Sequence, residues 1–391
     1  MTLDTRGARR TTRPSAPRIL ALALAAGAAL ALSGCGAASG GSGSGSDALR
    51  VVATTTQLTD FSATVGGDDI ELTGLLPAGG SAHHFDPSPA DLLALGQADV
   101  LVVNGAGLET FVDDAIDASG FDGEIVTASD GIDLAEAKEI TAEGEAAGGA
   151  HDHDHAEEGH ADEHGAEEHA ADEHAADEHA AEEHGAEEHG ESGEAHDHDH
   201  GDINPHLWTS PKNAEGMVAE IARGFERADP DHADDYSARA EAYTAKLSEL
   251  DEWIAAQFER VPAADRVLVS GHDSLRYYLH DYGIAFAGAL LPSFEDNAEP
   301  SAADIDELVE EIRDSGVKAV FVESSMSPKL ARTVADEAGV EVVDAESLYA
   351  DSLGAPDSGA DTYFDATVHN TRVILEAWGV DPEPLPASLQ Q

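Results

Sequence analysis

Val267-Leu268-Val269-Ser270-Gly271-His272-Asp273-Ser274 is a short apolar, β-branched run that breaks at a glycine and turns polar, the signature of a strand leading into a helix. Working outward, a helix is expected over about Ser274–Tyr282, a strand over Ile284–Gly288, a helix over Ala302–Ser315, a strand over Lys318–Val322, a helix over Pro328–Ala338 and a strand over Glu341–Val343. The same rhythm occurs nearer the N-terminus. Leu49-Arg50-Val51-Val52-Ala53-Thr54 precedes a helix over Gln57–Val65, a strand Ile70–Thr73, a helix Ser88–Leu95 and the run Val100-Leu101-Val102-Val103. Continuously apolar strands call for sheets covered on both faces. Between the two halves, Tyr236, Ala240, Tyr243, Leu247, Leu250 and Ile254 recur at spacings of three and four, so about Pro230–Arg260 reads as one helix some ~45 Å long. The expected architecture is α/β: two lobes, each a mostly parallel sheet covered by helices, joined by one long rigid helix.

The 391 residues include 79 acidic and 20 basic side chains, a formal charge of −59, with 20 histidines and one cysteine. A single cysteine rules out an internal disulfide framework. So negative a chain repels phosphates, which argues against nucleic acid and leaves small molecules, cations and protein partners. The N-terminus runs the other way: arginines within residues 1–18 precede the apolar stretch Ile19–Leu32, too short to span a bilayer. Residues 1–34 therefore read as a signal peptide. Leu32-Ser33-Gly34-Cys35 resembles the bacterial lipobox, which implies lipidation of Cys35 and anchoring on the outer face of the cell membrane. Residues 35–46, almost wholly Gly, Ser and Ala after Cys35, form a flexible tether.

Residues 141–202 contain no large apolar side chain until the body resumes, and are expected to be disordered. Residues 151–200 hold 20 Asp/Glu and 13 His with no Lys or Arg. His164, His169, His174, His179, His184 and His189 recur every five residues, His160 precedes them, and His-Asp-His-Asp-His closes both ends with His151, His153, His155 and His196, His198, His200. That spacing fits neither one helical face nor a zinc-finger cage, so the segment reads as an auxiliary multi-site metal collector; an acidic solvating linker is the alternative. The remaining divisions are an N-terminal lobe at 47–140 completed by 203–229, a linking helix at 230–262 and a C-terminal lobe at 263–391.

Seven histidines lie outside the insert. His83 and His84 follow the glycine-bearing loop Leu75–Gly80, His206 sits in Asn204-Pro205-His206-Leu207-Trp208, and His272 directly follows a strand. Loops beyond the carboxyl ends of parallel strands line the ligand crevice, so His83, His206 and His272 are expected to face one cleft. His232, His280 and His369 receive no role.

Taken together, Gly79-Gly80-Ser81-Ala82-His83-His84-Phe85-Asp86-Pro87, Asn204–Trp208, Gly271–Ser274, Ser293-Phe294-Glu295 through Ser301, Val322-Glu323-Ser324 and Tyr349–Gly354 resemble the substrate-binding lipoproteins of zinc and manganese ABC importers, cluster A-I. The resemblance covers about 47–380 and implies a four-ligand cleft: His83, His206, His272 and Asp351. His84 occupies a variable position, and Glu323 either joins the site or caps the next turn. Three imidazoles and a carboxylate suit Zn(II); Mn(II) is the weaker expectation, because the manganese branch commonly carries Glu where His272 stands. The implied partner is an ABC permease, with the chain a monomer. Other functions remain open: a surface zinc buffer or adhesin without an importer, or a zinc enzyme. The last is disfavoured, since four protein ligands close the shell that catalysis needs open, and no H-E-x-x-H or G-x-S-x-G occurs.

Overall fold

Two parallel sheets of four strands carry the chain. The computed structural model describes residues 48–148, 203–291 and 300–390. In the N-terminal lobe β1 (Leu49–Ala53), β2 (Ile70–Gly74), β3 (Val100–Val103) and β4 (Glu124–Thr127) pair in the order β2-β1-β3-β4. In the C-terminal lobe β5 (Val267–Ser270), β6 (Ala285–Ala289), β7 (Ala319–Glu323) and β8 (Glu341–Leu348) pair as β6-β5-β7-β8. The order reverses between β1 and β3 and again between β5 and β7. Each lobe therefore has a switch point where the outgoing loops diverge and leave a crevice.

Both expected lobes are present, and the central strands are buried throughout because both faces are covered: Val100–Val103 is wholly apolar, and Ala319–Glu323 is apolar up to the buried Glu323 that ends it. Helices α1 (Thr56–Gly66), α2 (Pro89–Leu95) and α3 (Val112–Ser119) belong to the first lobe, α4 (Leu134–Gly148) crosses to pack against β6 of the second, and α5 (Pro211–Ala228) follows. Helices α7 (Arg276–Asp281), α8 (Ala302–Ser315), α9 (Pro328–Ala338) and α10 (Tyr363–Ala377) cover the second. The linking helix, α6 (Ala233–Phe258), has 26 residues, about 39 Å at the usual rise. Its apolar stripe of Tyr236, Leu247, Leu250, Trp253, Ile254 and Phe258 is buried, and one core runs from Val51 and Phe61 through it to Leu268 and Tyr278. A core shared in this way couples the lobes far more tightly than a flexible linker would.

The collector boundary differs from expectation. Helix α4 continues to Gly148, past the start at 141 suggested by composition. Tertiary bonds explain it: the Thr141 hydroxyl donates to Ala137 O and accepts from Asn204 N–H, an anchor that a scan for large apolar residues does not register. Residues 1–47, with the signal peptide, Cys35 and the tether, lie outside the described residues, as do 149–202 with the thirteen insert histidines, and 292–299. Among the described residues no helix is long and apolar enough to cross a membrane.

Asp60 on α1 ties the lobes together by accepting from the Tyr363 N–H that opens α10. Burial pushes its carboxyl up to about 6, helped by Asp365 and Asp361, with that hydrogen bond and Lys246 opposing. A carboxyl raised in the folded state opposes folding once it ionises, so its penalty is absent near pH 3 and fully developed above pH 6. Asp60→Asn should therefore stabilise the metal-free protein by ~1–3 kcal/mol at pH 7 and by little near pH 4. Urea unfolding at both pH values checks this; an equal effect at the two would refute it.

Candidate metal centre

The four expected ligands arrive on four different loops. His83 lies on the loop after β2, where Gly79 takes a left-handed conformation (φ +74°) and the His83 N–H donates to Ser81 Oγ. His206 immediately precedes a single 3-10 turn, Leu207–Thr209, that leads into α5. His272 follows β5 by two residues and Asp351 follows β8 by three. Potential ligand atoms of all four lie within 4.8 Å of one another. His206, His272 and Asp351 are buried, whereas His83 is partly exposed and forms the solvent side of the cluster.

Four of the six separations among these atoms match the edges of a small tetrahedral site. His206 Nε2 is 3.1 Å from His83 Nε2, 3.3 Å from His272 Nε2 and 3.4 Å from Asp351 Oδ1, and the His272–Asp351 separation is 3.1 Å. A tetrahedron with metal–ligand bonds of ~2.0–2.1 Å has edges of about 3.3–3.4 Å. Asp351 Oδ1 is buried with no hydrogen-bond partner among the described residues, whereas Oδ2 accepts from Ser325 Oγ at 2.9 Å. One carboxylate oxygen is thus held back and the other is presented inward, giving three imidazole nitrogens and one oxygen.

Other side chains fix each ligand. His206 Nδ1–H donates to Asn204 Oδ1 at 2.8 Å, leaving the Nε2 lone pair for the centre. Glu323 ends β7 at the second switch point and accepts from Gly271 N–H, His272 N–H and the Ser274 hydroxyl, with Oε1 3.3 Å from His272 Nδ1. It caps the turn behind His272 and is not among the four convergent residues. The Asp351 segment crosses to the other lobe: Gln57 Nε2 and Trp208 Nε1 donate to Ala350 O, Gly79 N–H donates to Ser352 Oγ, and Leu353 N–H donates to Thr56 Oγ1.

Burial disfavours a charge on His272, but the carboxylates of Asp351 and Glu323 outweigh it and hold its imidazole well above the ordinary histidine value. Burial likewise works against an ionised Asp351, yet the charge of His272 and the close imidazole of His206 hold the carboxyl well below the ordinary range.

His84 is exposed, its ring 6.4 Å from that of His83 between centroids, and lies outside the group of four. His232 bonds Asp229 beside α6, His280 is on α7, and His369 stacks edge-on against Tyr349. Sequence reasoning did not single out Asn204, Ser325 or the Gln57–Trp208 clamp. Asn204 had a signal: an Asn two residues before another residue readily accepts that residue's N–H, as Asn204 Oδ1 does from His206.

Residues 51–377 match the family described as "Zinc-uptake complex component A periplasmic". The chain belongs to this family. Relatives include the manganese-binding lipoprotein MntA of Halalkalibacterium halodurans, 27% identical over 84% of this chain and 88% of that protein, and MntA of Bacillus subtilis, 28% identical over 84% and 89%. Among solved structures, the periplasmic zinc-binding protein TroA from Treponema pallidum superposes with a TM-score of 0.64 at 22% identity, over 84% of this chain and 98% of its own. A Mn-bound periplasmic metal-binding protein from Candidatus Liberibacter asiaticus gives a TM-score of 0.60 at 22% identity, over 84% and 99%. These structural likenesses show the two-lobed α/β fold.

Glu323→Ala should leave three donors without their acceptor. At ~1–3 kcal/mol for each buried donor so stranded, the metal-free protein loses about 3 kcal/mol or more. Metal affinity should fall roughly 10- to 100-fold through the displaced His272. Thermal unfolding and competitive titration measure the two effects, and unchanged values in both would remove Glu323 from the support of the site.

Proposed function

We propose that the chain captures Zn(II) in the cleft through His83, His206, His272 and Asp351 and delivers it to an ABC permease. The coarser role is that of an extracytoplasmic, lipid-anchored metal-binding lipoprotein serving an ABC importer. Relatives carry both manganese and zinc in their names, so those names do not select the ion. The observation that supports zinc is the donor set: three imidazoles plus a single carboxylate oxygen, Oδ2 being engaged by Ser325, at tetrahedral spacing. Mn(II) favours oxygen donors and lies lower in the Irving–Williams order.

On this reading Cys35 carries the lipid, the chain acts as a monomer, and the histidines of the insert form weaker auxiliary sites that collect metal outside the cleft. Because Thr141 on α4 supports Asn204, an insert deletion should begin at 149 rather than 141. Removing 149–202 should leave one tight site and abolish the weaker ones.

In that deleted form, His272→Glu should weaken zinc and narrow its advantage over manganese, and His272→Ala should cost zinc affinity at least about 10-fold. Competitive titration of both ions decides. Equal wild-type affinity for Mn(II) and Zn(II), or an unaffected His272→Ala, would overturn the zinc reading.

Zinc must displace the proton that His272 holds above its ordinary value. Apparent affinity should therefore rise with pH through and beyond ~6.5, with net proton release on binding. Calorimetry in two buffers of different ionisation enthalpy reads the released protons; none at pH 6.5 would exclude His272 as a ligand.

A further inference from the structure

Asn204 has every polar group engaged, and its partners come from both lobes. It is fully buried. Its N–H donates to Thr141 Oγ1 on α4, and its carbonyl accepts from the Tyr277 hydroxyl on α7. Side-chain Oδ1 accepts from both His206 N–H and His206 Nδ1–H, while Nδ2 donates to the main-chain carbonyl of Asp273 at 2.6 Å. These partners leave no ambiguity about which end of the amide is oxygen, because donors converge on one atom and a carbonyl faces the other. A neighbouring bond holds the same segment, with Asn104 Nδ2 donating to Pro205 O at 3.0 Å.

We propose that Asn204 is a positioning residue that acts on two ligands at once. Its oxygen selects the Nδ1–H form of His206, so that Nε2 meets the metal as a lone pair. Its Nδ2 grips Asp273, the residue after His272, and so holds the imidazole of the other lobe at the matching distance. One amide thereby sets the 3.3 Å separation between His206 Nε2 and His272 Nε2. An amide suits this role because it is donor and acceptor in one rigid plane; a carboxylate supplies only the acceptor. The inference rests on the four-ligand reading above.

The test compares zinc dissociation from the full chain for wild type, Asn204→Ala, Asn204→Asp and Tyr277→Phe. Each protein is loaded with one equivalent of Zn(II) and mixed with a chromogenic chelator, and each metal-free form is melted in parallel. Asn204→Ala loses both functions and should release zinc about 10- to 100-fold faster, the range for outer partners of metal ligands. Asn204→Asp keeps the acceptor for His206 Nδ1–H but loses the grip on Asp273, so its rate should fall between those of wild type and Asn204→Ala. Tyr277→Phe cuts the hydroxyl's bonds to the Asn204 main chain and to Thr141 Oγ1 while leaving both side-chain bonds of Asn204 in place, and should lower the melting temperature with less than about 3-fold change in release.

Asn204→Ala at the wild-type rate, Asn204→Asp as fast as Asn204→Ala, or Tyr277→Phe as fast as Asn204→Ala would each overturn the proposal. Asn204→Asp at the wild-type rate would overturn the grip on Asp273. Should Asn204→Ala fail to fold, the rate of Asn204→Asp against wild type and Tyr277→Phe decides. A wild-type chain with no slow zinc phase would instead refute the four-ligand site itself.

Discussion

The inward oxygen of Asp351 is the constraint on which the rest of the structure turns. It is buried, without a hydrogen-bond donor among the described residues, and stands 3.1 Å and 3.4 Å from imidazole nitrogens of His272 and His206. Lone pairs aimed at one point repel, and an isolated buried carboxylate is costly. The arrangement persists because each group is tied down from behind: Asp351 by Ser325, His206 by Asn204, and the His272 turn by Glu323. Positive charge at the centre relieves it. On the proposed four-ligand reading, capture is an exchange of proton for metal.

The scaffold limits how that site can deform. Helix α6 shares one continuous core with both lobes, and the Asp351 segment, although it issues from β8, is bonded to Gln57, Gly79, Thr56 and Trp208 of the opposite lobe. Separating the lobes would break these bonds together. Of the four candidate ligands, His83 is the one that is partly exposed.

Much of this was legible in the sequence. Apolar runs such as Val100–Val103 become fully buried central strands, and the three-and-four spacing from Tyr236 to Ile254 becomes the buried stripe of α6. The expectation that His83, His206 and His272 share a cleft follows from the rule for loops at strand carboxyl ends, and their geometry agrees; Asp351 came from the family resemblance alone, since nothing local marks one Asp among so many. What stayed hidden depends on contacts distant in sequence. Residues 141–148 look like linker by composition, yet α4 includes them, with Thr141 bonded to Asn204. Helix α5, amphipathic and capped by Ser210, went unread beside the insert, and the roles of Ser325 and Gln57 exist only once the lobes are assembled.

The most direct test of the central claim is anomalous diffraction from crystals of the zinc-loaded protein, with data collected on both sides of the zinc absorption edge. The account predicts a strong peak in the cleft, bonded to His83 Nε2, His206 Nε2, His272 Nε2 and Asp351 Oδ1 at about 2.0–2.2 Å, with no fifth protein ligand. A cleft without a peak, or a peak that leaves out His272 or Asp351 in favour of other side chains, would contradict it.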